Sequence, residues 1–403
     1  MKILQNLYFV AALAFPAAAQ PNFSTLYSFT NGYVAALTPA RGLLYGVFQG
    51  IAPTGSNCGA IVELQQPAAP GDTWIESTVY SFAESGDGCD PSWPVVSAGG
   101  ALYGVTGLGG TYSSGVAYQL KPPTSPGGTW SESIIFNFGT GPRVGFPWSN
   151  LVPGPQGSLY VIVDGGTYGG NALLQLRPPA TPGGEWSGHL LYSFPADQPA
   201  GMLRSGPNGS LYGATVKSTQ PDGSRGGGLI FQLSPPKEAG SAWAETVLYN
   251  LAPQEGALPN SLTLDSSGAI YGTAFGSSFF GAGAGTVFKL TPPGTAGGDW
   301  SYTLLKDFGG NHPSQPLIPR GGKLYGAVAT ADGQGGGVFQ LKPPGSGSGT
   351  WDITFLHNFT DGQVPGYGDA GGALFMDKQG TIFGATQDVN AQPNSGTIYQ
   401  IGR

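Results

Sequence analysis

Short apolar runs separated by turn residues recur along almost the whole chain, and one pair of runs is repeated with few changes. In residues 285–308 the first run, which contains Val287 and Leu290, ends at two prolines, and the second begins at Trp300 after a glycine-rich turn. Both runs are rich in β-branched and aromatic residues, and proline cannot donate a hydrogen bond to a sheet ladder. The pattern predicts two strands joined by a tight turn.

This unit has a nearly constant period. Its tryptophan recurs at intervals of 56, 56, 57, 57 and 51 residues, as Trp74, Trp130, Trp186, Trp243, Trp300 and Trp351. A second signature, Leu-Tyr-Gly or a close variant, precedes the unit and occurs seven times, at residues 44–46, 102–104, 159–161, 211–213, 270–272, 324–326 and 382–384. A period of this length is typical of stacked or circular repeats.

The seventh unit lacks its last strand, and the N-terminus carries a matching one. Residues 23–29 (FSTLYSF) resemble the last strand of the first unit, residues 76–82 (ESTVYSF). An N-terminal strand that completes the C-terminal unit closes a ring without an unpaired sheet edge. We therefore predict an all-β fold, a seven-bladed β-propeller with four-stranded blades, whose last blade is closed by the N-terminal strand.

Each unit also carries a first strand before Leu-Tyr-Gly, such as residues 259–264 or 147–152. With four strands per blade, the turns between strands one and two and between strands three and four lie on one face of the ring, the turn face. The other loops lie on the opposite face and differ in length and composition, so we call it the variable face. Variable loops on a rigid scaffold commonly bind ligands, so we expect a ligand there, near the central channel.

The repeat resembles a known family. Residues 270–278 (IYGTAFGSS) followed by residues 285–293 (GTVFKLTPP) are similar to the GloVer repeat of secreted and surface proteins called choice-of-anchor tandem repeat proteins. The resemblance implies an exported propeller and no particular activity, because the family is defined by its blades. No anchor segment follows Ile401, so the sequence does not predict attachment to a cell surface.

Residues 1–19 have the pattern of a secretory signal peptide, with Lys2, an apolar segment over residues 7–15 and three alanines before Gln20. That segment is too short to span a membrane, and no later stretch approaches about 20 uninterrupted apolar residues. We expect a secreted or periplasmic protein without a membrane span, whose single propeller domain comprises residues 20–403.

Composition narrows the choice of partner. Charged residues make up 10% of the chain and the formal net charge is −7 without a basic stripe, which argues against nucleic acid and anionic membranes. The sequence has no motif of a nucleotide-binding loop, a zinc protease or a serine hydrolase. We predict a monomer with no cofactor and no metal site, whose partner is an extracellular glycan, a small molecule or a protein.

The two cysteines, Cys58 and Cys89, fall in neighbouring loops of the predicted variable face. Disulfides persist in exported proteins, so we predict a bond between them; two free thiols are the alternative if the Cα atoms lie more than about 7 Å apart.

The candidate ligand-binding residues are two aromatic and six polar side chains at the variable face. Trp93 and Trp148 lie outside the tryptophan period and either stack on a flat ligand such as a sugar ring or pack between blades. Their different spacing from neighbouring prolines predicts that they point in different directions. The polar candidates are Asp87, Asp90, Asp164, Asp369, Arg143 and His312.

Two functions remain open. The first is an exported binding or scaffold module whose ligand lies at the variable face of the channel. The alternative is an extracellular carbohydrate-active enzyme, a hydrolase or a lyase, that uses carboxylates such as Asp90, Asp164 or Asp369 about 5 to 9.5 Å apart. Solvated loop residues without a ligand are the simpler interpretation of the same acids, and a purely structural protein would have no polar pocket.

Overall fold

The computed structural model describes residues 21–402 apart from the segments 53–54, 68–73, 84–85, 126–127, 140–144, 165–170, 182, 195–201, 216–217, 220–224, 239–240, 253–254, 256–257, 276–284, 296, 314, 331–334, 346–348, 361, 366–373 and 392–394. Within this part of the chain the structure is built of β-strands, turns and two single-turn 3₁₀ helices, Pro155–Gly157 and Pro207–Gly209. The predicted leader, residues 1–19, lies outside the described residues and stays a prediction.

The strands form seven antiparallel sheets in chain order, and each sheet is one blade. From the innermost to the outermost strand, blade 1 contains Gly32–Ala40, Leu43–Gly50, Ala60–Gln65 and Ile75–Ser81. Blade 2 contains Cys89–Ala98, Ala101–Leu108, Val116–Lys121 and Ser131–Asn137. Blade 3 contains Phe146–Pro147 with Val152–Pro153, Leu159–Asp164, Ala172–Arg177 and Ser187–Ser193.

The remaining blades follow the same order. Blade 4 contains Arg204–Ser205, Leu211–Ala214, Gly228–Ser234 and Ala244–Leu251, with a small hairpin of Ser218–Thr219 and Arg225–Gly226 in one loop. Blade 5 contains Pro259–Leu264, Ile270–Ala274, Thr286–Thr291 and Ser301–Asp307. Blade 6 contains His312–Pro313 with Ile318–Arg320, Lys323–Ala329, Gly336–Lys342 and Asp352–Phe359. Blade 7 contains Gln363–Pro365 with Leu374–Met376, Ile382–Asp388, Ser395–Ile401 and the N-terminal strand Phe23–Phe29.

The N-terminal strand closes the ring, as predicted. Phe23 lies opposite Ile401 and Phe29 opposite Gly396 in an antiparallel ladder. The outermost strand of blade 7 thus comes from the other end of the chain. The seven-bladed propeller is confirmed.

Seven apolar clusters hold the ring together, one at each junction between neighbouring blades. At the junction of blades 7 and 1, Phe383 and Ile398 from one sheet pack against Val34 and Leu64 from the other. Sheets covered on both faces bury apolar residues on both sides of each strand, which explains the continuous apolar runs in the sequence.

The two repeated signatures meet across these junctions. In four blades the tryptophan before the outermost strand packs against the aromatic residue of the Leu-Tyr-Gly signature in the preceding blade. Edge-to-face ring centroids lie 5.6 to 6.2 Å apart in the pairs Tyr45–Trp130, Tyr103–Trp186, Tyr160–Trp243 and Phe383–Trp74. The signatures share one period because each supplies half of the same contact.

The glycine of the second signature lies beneath an aromatic ring of the third strand. The cross-strand pairs are Gly104–Tyr118, Gly213–Phe231, Gly272–Phe288, Gly326–Phe339 and Gly384–Tyr399. A Cβ atom at any of these glycines would overlap the ring. Blade 3, which carries Val161 instead of glycine, has the smaller Leu174 opposite it. Volume is therefore balanced between the two strands in these six blades, whereas blade 1 has Val62 opposite Gly46.

The innermost strand of blade 3 differs from the expectation of one strand over residues 147–152. It is divided into Phe146–Pro147 and Val152–Pro153. Between them the Ser149 hydroxyl accepts a hydrogen bond from the Ile162 backbone N–H at 2.9 Å, and Asn150 accepts one from the Leu203 N–H at 2.9 Å. Side-chain bonds to the second strand and to blade 4 replace the ladder here.

We expect Gly272→Ala to lower the free energy of unfolding by about 2 kcal/mol, because the new methyl group must displace the Phe288 ring in a packed core. Chemical denaturation measures the difference. Gly294→Ala is the matched control, since no atom lies within 4 Å of its added Cβ. Equal stability of the two variants would contradict the close contact.

Deletion of Phe23–Phe29 should lower the melting temperature and cause aggregation, because Ser395–Ile401 becomes an exposed sheet edge. Size-exclusion chromatography and thermal denaturation measure both effects. A monomeric truncation with unchanged heat stability would show that this ladder does not support the ring.

Candidate functional site

The innermost strands begin at the variable face, and together they surround one mouth of the central channel. The second strand of each blade ends near the same rim, at about the position five residues after the start of its signature. This rim position is occupied by Gln49, Asp164, Phe275 and Gln387 in blades 1, 3, 5 and 7. Its side chains differ in charge and polarity, in contrast to the constant positions before it.

The predicted disulfide lies beside this mouth. Cys58 and Cys89 are bonded, with their Cα atoms 4.4 Å apart, and the Asp90 backbone N–H donates to the Cys58 carbonyl at 3.1 Å. The bond joins a loop of blade 1 to the first residue of blade 2. The disulfide prediction is confirmed, and it fixes the backbone next to Asp90.

Asp90 belongs to a hydrogen-bonded chain of side chains from blades 1 and 2. Gln49 Nε2 donates to Asp90 Oδ1 at 3.2 Å, and the Tyr33 hydroxyl donates to Gln49 Oε1 at 2.7 Å. The Asp90 side chain reaches solvent, but the surrounding protein partly desolvates the carboxyl and raises its pKa. This chain presents an acid, an amide and a phenol at the channel mouth.

Asp87 has a different environment from Asp90. Its carboxylate accepts hydrogen bonds from the Tyr80 hydroxyl at 2.7 Å and from the Ala83 backbone N–H at 3.1 Å. These bonds hold the turn that leaves the outermost strand of blade 1. We therefore do not include Asp87 in the ligand site proposed below.

The two candidate tryptophans occupy different environments. Trp93 is 8% exposed and packs with Leu151 and Met202 in the cluster between blades 2 and 3. Its φ of 66° is in the left-handed region, in a bulge of the innermost strand. Trp148 is 41% exposed.

Blade 3 places Trp148 next to another exposed aromatic residue and an acid. Phe146 is 46% exposed and lies opposite Asp164 in the ladder, and the Trp148 N–H donates to the Ile162 carbonyl at 2.8 Å. Phe146 and Trp148 are exposed and Pro147 between them is buried, so the two aromatic side chains point to the same side. Phe146 and Trp148 therefore form an aromatic surface beside the Asp164 rim position.

His312 lies on the opposite side of the ring, at the junction of blades 5 and 6. Its imidazole stacks on Phe275 with ring centroids 4.2 Å apart, and Nδ1 lies 2.7 Å from the Phe275 carbonyl oxygen. A carbonyl oxygen can only accept, so Nδ1 carries the proton and Nε2 is the second polar atom of the ring.

Two predicted site residues, Arg143 and Asp369, lie outside the described residues and stay predictions. Blade 7 adds a residue that the sequence reasoning did not select. The Gln387 side chain is 8% exposed, and its Oε1 has no hydrogen-bond partner among the described residues.

The C-terminal half of the chain, residues 198–403, matches the family profile of the Gloeobacter/Verrucomicrobia repeat. The chain belongs to this repeat family. The matched part begins just before the innermost strand of blade 4 and extends over blades 5, 6 and 7. The resemblance inferred from the repeated signatures is confirmed.

Two solved structures show the same fold as this member of the Gloeobacter/Verrucomicrobia repeat family. The polysaccharide lyase Uly1 aligns with a TM-score of 0.53 at 10% identity, covering 92% of this chain and 90% of the lyase. A puromycin-hydrolysing peptidase of Mycobacterium tuberculosis aligns with a TM-score of 0.52 at 13% identity, covering 88% of this chain and 49% of the peptidase. No curated protein sequence matches significantly.

Four residues near the mouth were not selected from the sequence, although their positions in the repeat distinguish them: Gln49, Tyr33, Phe275 and Phe146. Gln49 and Phe275 stand at the rim position, where the repeat loses its consensus, and Tyr33 and Phe146 stand near the starts of innermost strands. Among the described residues, no helix is long and apolar enough to cross a membrane, and no group of three or more acids, histidines or cysteines is arranged to hold a metal.

A further unusual acid lies in the outermost strand of blade 2, away from the mouth. At the junction of blades 3 and 4, the Tyr192 hydroxyl donates to Glu245 at 2.8 Å. At the equivalent position between blades 1 and 2, Tyr80 donates to Asp87 instead, and Glu132 Oε1 is buried with no hydrogen-bond partner in the described structure. Burial, and then the charge of Asp87, raise the pKa of Glu132 to about 7.

Glu132→Gln should increase stability at pH 8 and leave it almost unchanged at pH 5. The pKa is higher in the folded than in the unfolded protein, so the folded state binds more protons between about pH 4.5 and 7, and stability falls as pH rises through this range. Glutamine removes the ionisation; since the group is half exposed, we expect a gain of about 1 kcal/mol at pH 8.

Urea denaturation at both pH values measures this effect. Asp352→Asn is the control, because Asp352 is an exposed acid at the start of the outermost strand of blade 6. A Glu132→Gln variant whose pH dependence equals that of the native protein would contradict the assignment.

Proposed function

We propose that this protein is an exported β-propeller that binds a carbohydrate at the variable face, around the mouth of its channel. The observation that carries the proposal is the exposed aromatic surface of Phe146 and Trp148 beside the carboxylate of Asp164. Aromatic faces pack on the apolar faces of sugar rings, while carboxylates and amides accept and donate hydrogen bonds to hydroxyl groups.

The other side chains of the mouth extend the polar part of this site. The chain of Tyr33, Gln49 and Asp90 provides donors and acceptors held by blades 1 and 2, and His312 provides Nε2 from blade 6. A few polar groups placed around an apolar surface are the usual composition of a small-molecule site. The net charge of −7 favours a neutral or cationic saccharide over an anionic one.

Export is supported by the signal-peptide pattern of residues 1–19 and by the disulfide, since such bonds persist in oxidising compartments. The structural similarity to the polysaccharide lyase Uly1 is consistent with a carbohydrate ligand, but at 10% identity it is an analogy of fold. The second candidate function is a carbohydrate-active enzyme, and the partly desolvated Asp90 carboxyl favours it, because a raised pKa suits a general acid.

Retention on a panel of immobilised neutral, cationic and anionic polysaccharides tests the proposal. The native protein should bind at least one neutral or cationic polymer. Trp148→Ala should weaken that binding by up to about tenfold, equal to about 1.4 kcal/mol, because one stacking face is removed. Ile75→Ala is the control, since Ile75 is 59% exposed on an outermost strand.

The outcomes separate the two candidates. Absence of retention on every polymer, or equal retention of the Trp148→Ala and native proteins, would reject this site. Release of soluble sugar products by the native protein, lost in Asp90→Asn, would establish the enzyme instead of a binding module.

A further inference from the structure

A cavity of about 350 Å³ lies at the junction where the ring closes. It is open to solvent and lies between the outermost strand of blade 7 and the second, third and outermost strands of blade 1. Its lining includes Tyr27, Phe29, Phe48, Ile51, Val62 and Glu76. None of these residues belongs to the proposed carbohydrate site, so the inference below does not rest on it.

The closure lacks an aromatic pair that four other junctions contain. The phenylalanine that ends an outermost strand usually packs on an aromatic residue in the third strand of the next blade. Ring centroids are 4.9 to 5.2 Å apart in Phe82–Tyr118, Phe194–Phe231, Phe308–Phe339 and Phe359–Tyr399. At the closure the corresponding residues are Phe29 and Val62, so one aromatic ring is absent.

No other side chain fully replaces the missing ring. Phe48 lies 5.2 Å from Phe29, but its ring extends over Gly32 of the innermost strand. Phe29 is half-buried, whereas Phe82 is 0% and Phe194 3% exposed. Val34 and Val62 fill the place over Gly46 that Tyr118 or Phe231 fills in its own blade, and the cavity lies beside Val62 and Phe29.

The cavity also has a polar end. The Tyr27 hydroxyl lies beside the Glu76 carboxylate, and both belong to the lining. Burial raises the pKa of Glu76, whereas the neighbouring hydroxyls of Tyr27 and Thr78 lower it. An occupant with a hydrogen-bond donor can therefore reach a carboxylate acceptor.

We propose that this cavity binds a small aromatic ligand whose phenolic hydroxyl, or an equivalent donor, is directed at Glu76. The ring takes the place that an aromatic side chain of the chain itself takes at four other junctions. An apolar cavity of about 150 Å³ is sufficient to bind benzene, so the volume here accommodates one ring or two fused rings.

Calorimetric titration and thermal denaturation of the full chain with p-cresol and toluene test the proposal, because these molecules are the side-chain analogues of tyrosine and phenylalanine. We expect both to bind and to raise the melting temperature, with p-cresol bound more tightly. Val62→Phe supplies the missing ring, and we expect it to weaken binding of both probes at least about tenfold.

Two further variants test the roles of the Glu76 carboxylate and of the missing ring separately. Glu76→Gln should retain toluene binding and reduce the preference for p-cresol over toluene. Phe231→Val should open the same space between blades 3 and 4, lower the melting temperature and create a second toluene site.

The proposal is overturned if neither probe binds the native protein, or if a folded Val62→Phe variant binds both as well as the native protein. If circular dichroism shows that Val62→Phe is unfolded, the Glu76→Gln variant provides the test. A reduced preference of this variant for p-cresol over toluene supports the site, and an unchanged preference overturns it.

Discussion

Every sheet of this protein is apolar on both faces, and only a neighbouring sheet can cover each face. Seven junction clusters provide this cover, and two of them include side chains of Phe23–Phe29, the strand that pairs with Ser395–Ile401. The N-terminal strand contributes Phe23 to the cluster with blade 6 and Leu26 to the cluster with blade 1. One ladder between the two ends of the chain therefore completes two apolar interfaces, and the shape of the channel mouth depends on it.

Most of the repeated sequence serves these junctions. On the turn face, the tryptophan of one blade packs on the aromatic residue of the preceding blade. On the variable face, the glycine that starts the third strand packs on the proline of the next innermost strand, as in Gly285–Pro313 and Gly336–Pro365. A side chain at these glycines would push the blades apart. Because every blade meets an equivalent neighbour, similar residues are required from blade to blade, and this explains why the sequence is so regular.

That regularity made the ring, its closure and the disulfide predictable, because counting strands and loops along the chain is enough to place them. The site itself depends on distances across junctions, which counting does not provide. The different proline spacing of Trp93 and Trp148 predicts different directions but not which side chain is buried; Trp93 lies in the core, in a strand that bulges, and Trp148 faces solvent. No sequence pattern singles out Glu132, because its raised pKa depends on burial at a junction and on the charge of Asp87.

Positions that differ from the repeat consensus are therefore the candidates for ligand binding in this chain. A position that contacts the next blade cannot change without a compensating change, as Val161 and Leu174 show in blade 3. The rim position changes freely, from Gln49 to Asp164 to Phe275, since each side chain there faces the mouth or its edge. Val62 is a different case, because it departs from the consensus at a junction and its partner Phe29 did not change. An uncompensated loss of volume is unfavourable when the space stays empty, which is the physical argument for the aromatic occupant proposed above.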